Sequence, residues 1–138
     1  MGLPRPIVRM ANAITNAAIM TGIPRPPYTR NNALVIETLG RRSGRRHRIP
    51  VGYLDEDGRI IVVVEDGDRS HWVRNALARD GRLRIHLQGQ WHSARLRMLD
   101  AEPETYLSRM NRAHAALVRS HSSTPSVAEL VLEDARAA

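Results

Sequence analysis

The chain has no cysteine and no phenylalanine, and all 21 of its basic residues are arginine. Without a thiol there can be no disulfide framework, thiolate nucleophile, iron–sulfur cluster or thiolate metal site, and a reducing cytoplasm is the simplest compartment to expect. Without lysine, the formal charge of +7 persists at any physiological pH. Aromatic rings are scarce: Trp72, Trp91, Tyr28, Tyr53 and Tyr106 are all there are besides histidine. That is too few for the stacking platforms of single-strand nucleic-acid modules. A basic β-barrel holding nucleic-acid phosphates is left as an alternative that only the charge supports.

Long apolar runs are also missing. Arg9, Asn12 and Asn16 interrupt the amino-terminal region, and no stretch approaches the ~20 apolar residues that span a bilayer. There is no H-E-x-x-H pair, no G-x-S-x-G elbow and no G-x-G-x-x-G loop, which removes the usual zinc protease, serine hydrolase and Rossmann readings. The six histidines are scattered. His86 and His92 flank a turn without having to face each other, and no metal is expected.

The chain of 138 residues is long enough for one core. Residues 1–27 are set apart from 28–138 by composition. Ile7, Met10, Ala11, Ile14, Ala17 and Ala18 recur at helical steps and predict an amphipathic helix, closed by the Pro-rich linker PRPP at 24–27. Such a helix would cap an open barrel end or lie on a neighbouring subunit. Its alternative is peripheral membrane contact, bordered by Arg5, Arg9 and Arg25.

Beyond residue 28, alternation dominates. Leu34 to Leu39 and Ile49 to Leu54 carry the period of two of strands. Asp55 to Gly58 reads as an acidic turn, followed by Ile60 to Val64, apolar on both faces. A strand of that kind must be covered twice, by a barrel interior and by a helix or a second subunit, so a homodimer is expected. Ser70 is placed to cap a helix from His71 to Arg79, stopped by Gly81. A third hairpin turns at Gln88 to Gln90, a helical pattern covers Pro103 to Arg119, and Val127 to Leu132 reads as a last strand. About six antiparallel strands with flanking helices make a mainly β fold.

The two first strands are joined by a loop that is nearly all arginine and glycine. Gly40 and Gly44 bracket Arg41, Arg42 and Ser43, with Arg45, Arg46, His47 and Arg48 following. Glycines there let the backbone turn its amides toward one point, and the planar arginine fork fits phosphate or carboxylate oxygens in pairs. The loop suits an anion.

The order T-L-G-R-R-S-G…P (Thr38 to Pro50), then a D-G turn and strand, then Trp72, Asn75 and Leu77, then a hairpin, resembles the deazaflavin-dependent nitroreductase family over about residues 33 to 100. These are flavin and deazaflavin oxidoreductases built on a split β-barrel of the FMN-binding type. The resemblance implies a cytoplasmic enzyme that passes a hydride from coenzyme F420 to a small electron-poor acceptor such as a quinone or nitro compound. FMN is the second cofactor that such a barrel would take.

It also implies positions. Arg41, Arg42 and Ser43 would hold the coenzyme's phosphate and oligoglutamate tail. His47 stands at the family's arginine position, with Arg48 beside it as a substitute. Ile49 leads into Pro50, Val51 and Gly52 under the ring, with Val64 and Glu65 at its edge and Trp72, Val73 and Asn75 along the other side. Family nitroreductases carry a tyrosine near the substrate in the carboxy-terminal region. This chain has none after Tyr106, so no catalytic residue is assigned.

Overall fold

A computed structural model describes residues 33–65, 67–110 and 125–133, together with Met20 and Ala115. The expected amino-terminal helix, its linker and its membrane contact lie outside the described residues, as does most of the helical pattern beyond Met110.

Seven strands form one antiparallel sheet: β1 (Ala33–Leu39), β2 (Arg46–Gly52), β3 (Leu54–Glu56), β4 (Arg59–Val64), β5 (Arg82–Leu87), β6 (Gln90–Leu99) and β7 (Ser126–Leu132). Their spatial order is β2-β1-β5-β6-β7-β4-β3. The two outer strands of that order, β2 and β3, are separated in sequence by Tyr53 alone. A flat sheet cannot place its opposite edges one residue apart, so it curls into a split barrel, with Tyr53 buried at the bend. The seven strands are the six expected ones with the second interrupted at this point.

Hairpin chemistry is where the sequence indicated. Asp57 and Gly58 both have positive φ (52° and 87°), as do Gln88 and Gly89 (48° and 86°). These are the mirror-image turns whose twist matches that of paired strands. Asp55 Oδ1 accepts a 2.8 Å hydrogen bond from the Gly58 amide and fixes the first of them.

Alternation sorts the side chains. Leu34, Ile36, Ile60, Val62, Val64, Leu83, Ile85, Ala128 and Leu130 face inward as one cluster. Fully burying each Leu, Ile or Val is worth roughly 1.5–3 kcal/mol. Helix α1 (His71–Leu77) adds Val73 and Ala76 to the cluster, with Trp72 packed against it in part. The helix is two residues shorter than expected. Ala78 serves as its C-cap, and the chain reverses through Asp80 and Gly81, both at positive φ. A Cβ on Gly81 would come within 2.9 Å of the Leu96 carbonyl oxygen. Ser70 sits at the N-cap position but makes no side-chain cap. Its hydroxyl donates instead to the Glu65 carbonyl, tying the end of β4 to the helix start.

Strand β4 is covered on both faces, as its apolar run demanded. Val63 turns away from the barrel interior and packs with Leu107 of α2 (Pro103–Leu107) and with Ala115. Its second cover therefore comes from the same chain, which removes the doubly apolar strand as a reason to expect a partner subunit.

The outer face also holds two buried carboxylates. Glu37 on β1 accepts from Arg48 of β2 at 2.8 Å and from Arg84 of β5 at 3.1 Å. Glu129 on β7 takes a two-pronged contact from Arg59 of β4, at 2.9 and 3.2 Å, with Arg97 of β6 at 3.9 Å. Each acid thus links its own strand to both neighbours. The pairing holds the Glu129 carboxyl below its ordinary range, chiefly through the Arg59 hydrogen bond.

Candidate functional site

The loop from Gly40 to Arg45 is closed by its own backbone. The Gly40 amide donates to the Arg45 carbonyl at 2.8 Å, and the Gly44 amide to the Gly40 carbonyl at 2.9 Å. Ser43 Oγ accepts from the Arg45 amide at 3.2 Å. Gly44 has φ +71°, a conformation that favours glycine. At Gly40 a Cβ would lie 2.6 Å from Ser43 Oγ and 3.0 Å from His47 Nε2. Ser43 and His47 thus both stand over Gly40, and a side chain there would push their tips aside.

A second segment is fastened to this loop. Asn75, buried on α1, accepts at Oδ1 from the Arg41 amide (3.2 Å) and from Arg41 Nη1 (2.8 Å). Its amide group reaches the Thr38 hydroxyl at 3.4 Å. Arg41 is therefore partly committed to holding α1 against the loop. The side chains of Arg42 and Arg45 are exposed and have no partner among the described residues. The arrangement is a rigid turn with unneutralised guanidinium groups beside a half-buried tryptophan. Trp72 stands one helical turn before Asn75 and so on the same side of α1.

The expected site residues do not all share this place. His47, Ile49 and Val51 lie opposite Thr38, Ile36 and Leu34, on the inward-facing register, and Ile49 and Val51 pack against the core. Arg48 and Pro50 alternate to the outer face, where Arg48 is held by Glu37. Successive strand residues point to opposite sides, so Arg48 cannot stand in for His47 on one surface. Gly52 pairs with Ala33 at the far end of the same ladder. Val64 and Val73 are buried in the core and can shape a ligand wall only from behind. The exposed Glu65 meets α1 through its carbonyl, which receives the Ser70 hydroxyl. The structure thus brings together Arg41 with Asn75, and Ser43 with His47 across Gly40, and it anchors Glu65 at the foot of the Trp72 helix.

Sequence reasoning missed the outer surface. Trp91 of β6 meets His86 edge-on with centroids 5.0 Å apart, and the guanidinium groups of Arg48 and Arg84 stand 4.9 and 4.6 Å from its ring centre. Burial lowers the His86 pKa, and nearby Arg48 and His92 push it further the same way. Next to this cluster is a cleft of about 850 Å³ between the β1–β5–β6 face and the end of α1. Leu39, Arg46, Arg79 and Arg82 are among its walls, and none of the expected site residues lines it. Among the described residues, no three His, Asp or Glu side chains gather as a metal site, and no helix is long and apolar enough to cross a membrane.

Comparison with known proteins adds a family and a fold. Residues 10–133 match the profile of the F420H(2)-dependent quinone reductase family. No match was found among curated proteins. Among solved structures, an F420-H2 dependent reductase is similar at 18% identity and TM-score 0.50, over 72% of this chain and 93% of that one. The heme storage protein HutZ from Vibrio cholerae is similar at 13% identity and TM-score 0.54, over 75% and 82%. A chain described as a domain-swapped dimer aligns at 17% identity and TM-score 0.53, over 91% and 93%. At such identities these structures speak for the split-barrel fold alone.

Proposed function

The chain belongs to the F420H(2)-dependent quinone reductase family, and from that premise we propose that this oxidoreductase binds coenzyme F420 between the β1–β2 loop and α1 and reduces a small electron-poor acceptor, a quinone first and a nitro compound by extension. The deazaflavin supplies the hydride chemistry when bound, so the protein needs no catalytic triad. Its own residues bind and orient. The side chain of Arg42, without a partner among the described residues, and the Ser43 hydroxyl meet the coenzyme's anionic groups, while Arg41 divides its donors between Asn75 and the ligand. Trp72 supplies an aromatic wall.

One observation carries this reading. Two segments that the family resemblance assigns separately to the coenzyme, 34 residues apart, are joined directly by the Arg41 to Asn75 hydrogen bonds. The loop residues fit an anion: the Arg42 and Arg45 guanidinium groups are exposed and carry no acidic partner among the described residues. Assembly as a homodimer belongs to the same proposal, supported by the neighbour described as a domain-swapped dimer and measurable by light scattering after gel filtration.

The test is a fluorescence titration with F420 and, in parallel, FMN, followed by oxidation of reduced F420 in the presence of menadione or a nitroaromatic compound. Saturable F420 binding with menadione-dependent oxidation is the expected result. Binding of FMN alone would replace the coenzyme in this reading, and no saturable binding of either would end it.

A further inference from the structure

The outer cleft has an unbalanced charge. Three of its acids are already engaged: Glu37 by Arg48 and Arg84, and Asp80 and Glu133 by Arg95 at 3.5 Å each. The side chains of three of its arginines, Arg46, Arg79 and Arg82, are exposed with no partner among the described residues. They converge from three segments: Arg46 opens β2, Arg79 follows α1 and Arg82 opens β5. Cations left unpaired around a concavity concentrate counter-ions there, because the low-dielectric walls focus their field.

The same cleft has an apolar wall. Leu39, 38% exposed, is one of two large apolar side chains left exposed among the described residues, and it lines the cleft. Leu83 and Ala94 contribute from below. The volume lies in the range of small-molecule sites, roughly 300–1,000 Å³. It is distinct from the coenzyme surface described above: none of Arg41, Arg42, Ser43, His47, Trp72 and Asn75 lines it, and although it reaches Thr38, its charged lining from Glu37, Arg46, Arg82 and Arg84 lies on the outward-facing register of β1, β2 and β5, opposite to His47.

We propose that this cleft is a second ligand site, selective for a small organic oxyanion with an apolar body: the carboxylate is held by Arg46, Arg79 and Arg82, and the hydrocarbon lies on Leu39. The site stands or falls independently of the coenzyme assignment. Strand pairing and the turn after α1 fix the backbone from which the three arginines extend, and the apolar wall distinguishes an organic acid from a bare inorganic ion.

The probe is 1-naphthoate, titrated into the full chain by calorimetry and by amide-resolved NMR, with 1-naphthamide and inorganic phosphate alongside. Naphthoate is expected to saturate at least tenfold more tightly than either comparison compound, with shifts centred on Leu39, Ala78 to Leu83 and Ala94. Arg46→Ala with Arg82→Ala should weaken it tenfold or more, whereas Arg42→Ala alone, outside the cleft lining, should leave it unchanged. Arg79→Ala provides a second, single-site variant, and near-ultraviolet circular dichroism confirms that each variant is folded. No saturable naphthoate binding, equal binding of acid and amide, equal binding of phosphate, shifts centred on Trp72 and Asn75, or an unaffected Arg46/Arg82 variant would each overturn the proposal.

Discussion

Asn75 Oδ1 receives two hydrogen bonds from a single residue, the Arg41 amide at 3.2 Å and the Arg41 guanidinium at 2.8 Å. One buried carbonyl oxygen thereby fixes both the backbone and the side-chain direction of the loop's first arginine. Replacing Asn75 by alanine leaves the Arg41 amide with water or with nothing. The cost expected is about 1–3 kcal/mol of stability, read from the midpoint of urea unfolding. F420 affinity should fall as well, and Asn75→Asp should recover more of it than Asn75→Leu, because an oxygen acceptor is restored.

Arg42 separates binding from folding. Its side chain is exposed and has no partner among the described residues, so Arg42→Ala should change stability by no more than about 0.5 kcal/mol. Loss of one charge-assisted hydrogen bond should nevertheless weaken F420 by about 1.5–3 kcal/mol, on the order of tenfold or more. A variant that binds F420 like the parent would remove Arg42 from the coenzyme site.

The Glu37 cluster makes an asymmetric prediction. Removing Arg48 and Arg84 together leaves a carboxylate that is 5% exposed with no cation beside it, a situation that costs about 3–5 kcal/mol. Removing Glu37 leaves two arginines that are each about two-fifths exposed and can be hydrated. Glu37→Gln should therefore cost less than the double arginine variant in the same unfolding experiment, and the opposite ranking would contradict this account of the outer face.

His86 gives a pH dependence of defined sign. Its folded pKa lies below the ordinary 6.5, so below that value the unfolded chain takes up a proton that the folded chain resists. The contribution is present above about pH 6.5 and is lost as pH falls toward the folded pKa. Melting temperature measured between pH 7.5 and 5 should drop more steeply in the parent than in His86→Gln. Glu129 acts at lower pH: its carboxyl is depressed from 4.5, so its share persists above that value and disappears as the acid protonates through its folded pKa. Arg59→Ala should flatten that second, more acidic fall.

Much of this architecture was legible because strands announce themselves by alternation and mirror turns by their Asp-Gly or Gln-Gly pairs. The barrel hairpins fell where Asp57-Gly58 and Gln88-Gly89 put them. The contiguous run from His47 to Gly52 was harder. A family pattern is linear, but a strand sends His47 inward and Arg48 outward, so a stretch of adjacent residues cannot line one wall. Glu37 gave no signal, since an acid within an apolar strand reads as a solvent-facing residue until its cross-strand arginines are located. The outer cleft was invisible for a related reason: Leu39, Arg79, Arg82 and Ala94 come from segments that only the sheet order brings together.

That order has a consequence for how the molecule can be made. Strand β7 is synthesised after the other described strands, yet it sits between β6 and β4. Until residues 126–132 leave the ribosome, the nascent polypeptide holds two incomplete sheets, β2-β1-β5-β6 and β4-β3, each showing an unsatisfied ladder edge to its surroundings. The final strand is a keystone. The complete sheet cannot form before residues 126–132 are available, and a protein stalled just short of Ser126 should associate with other chains rather than fold.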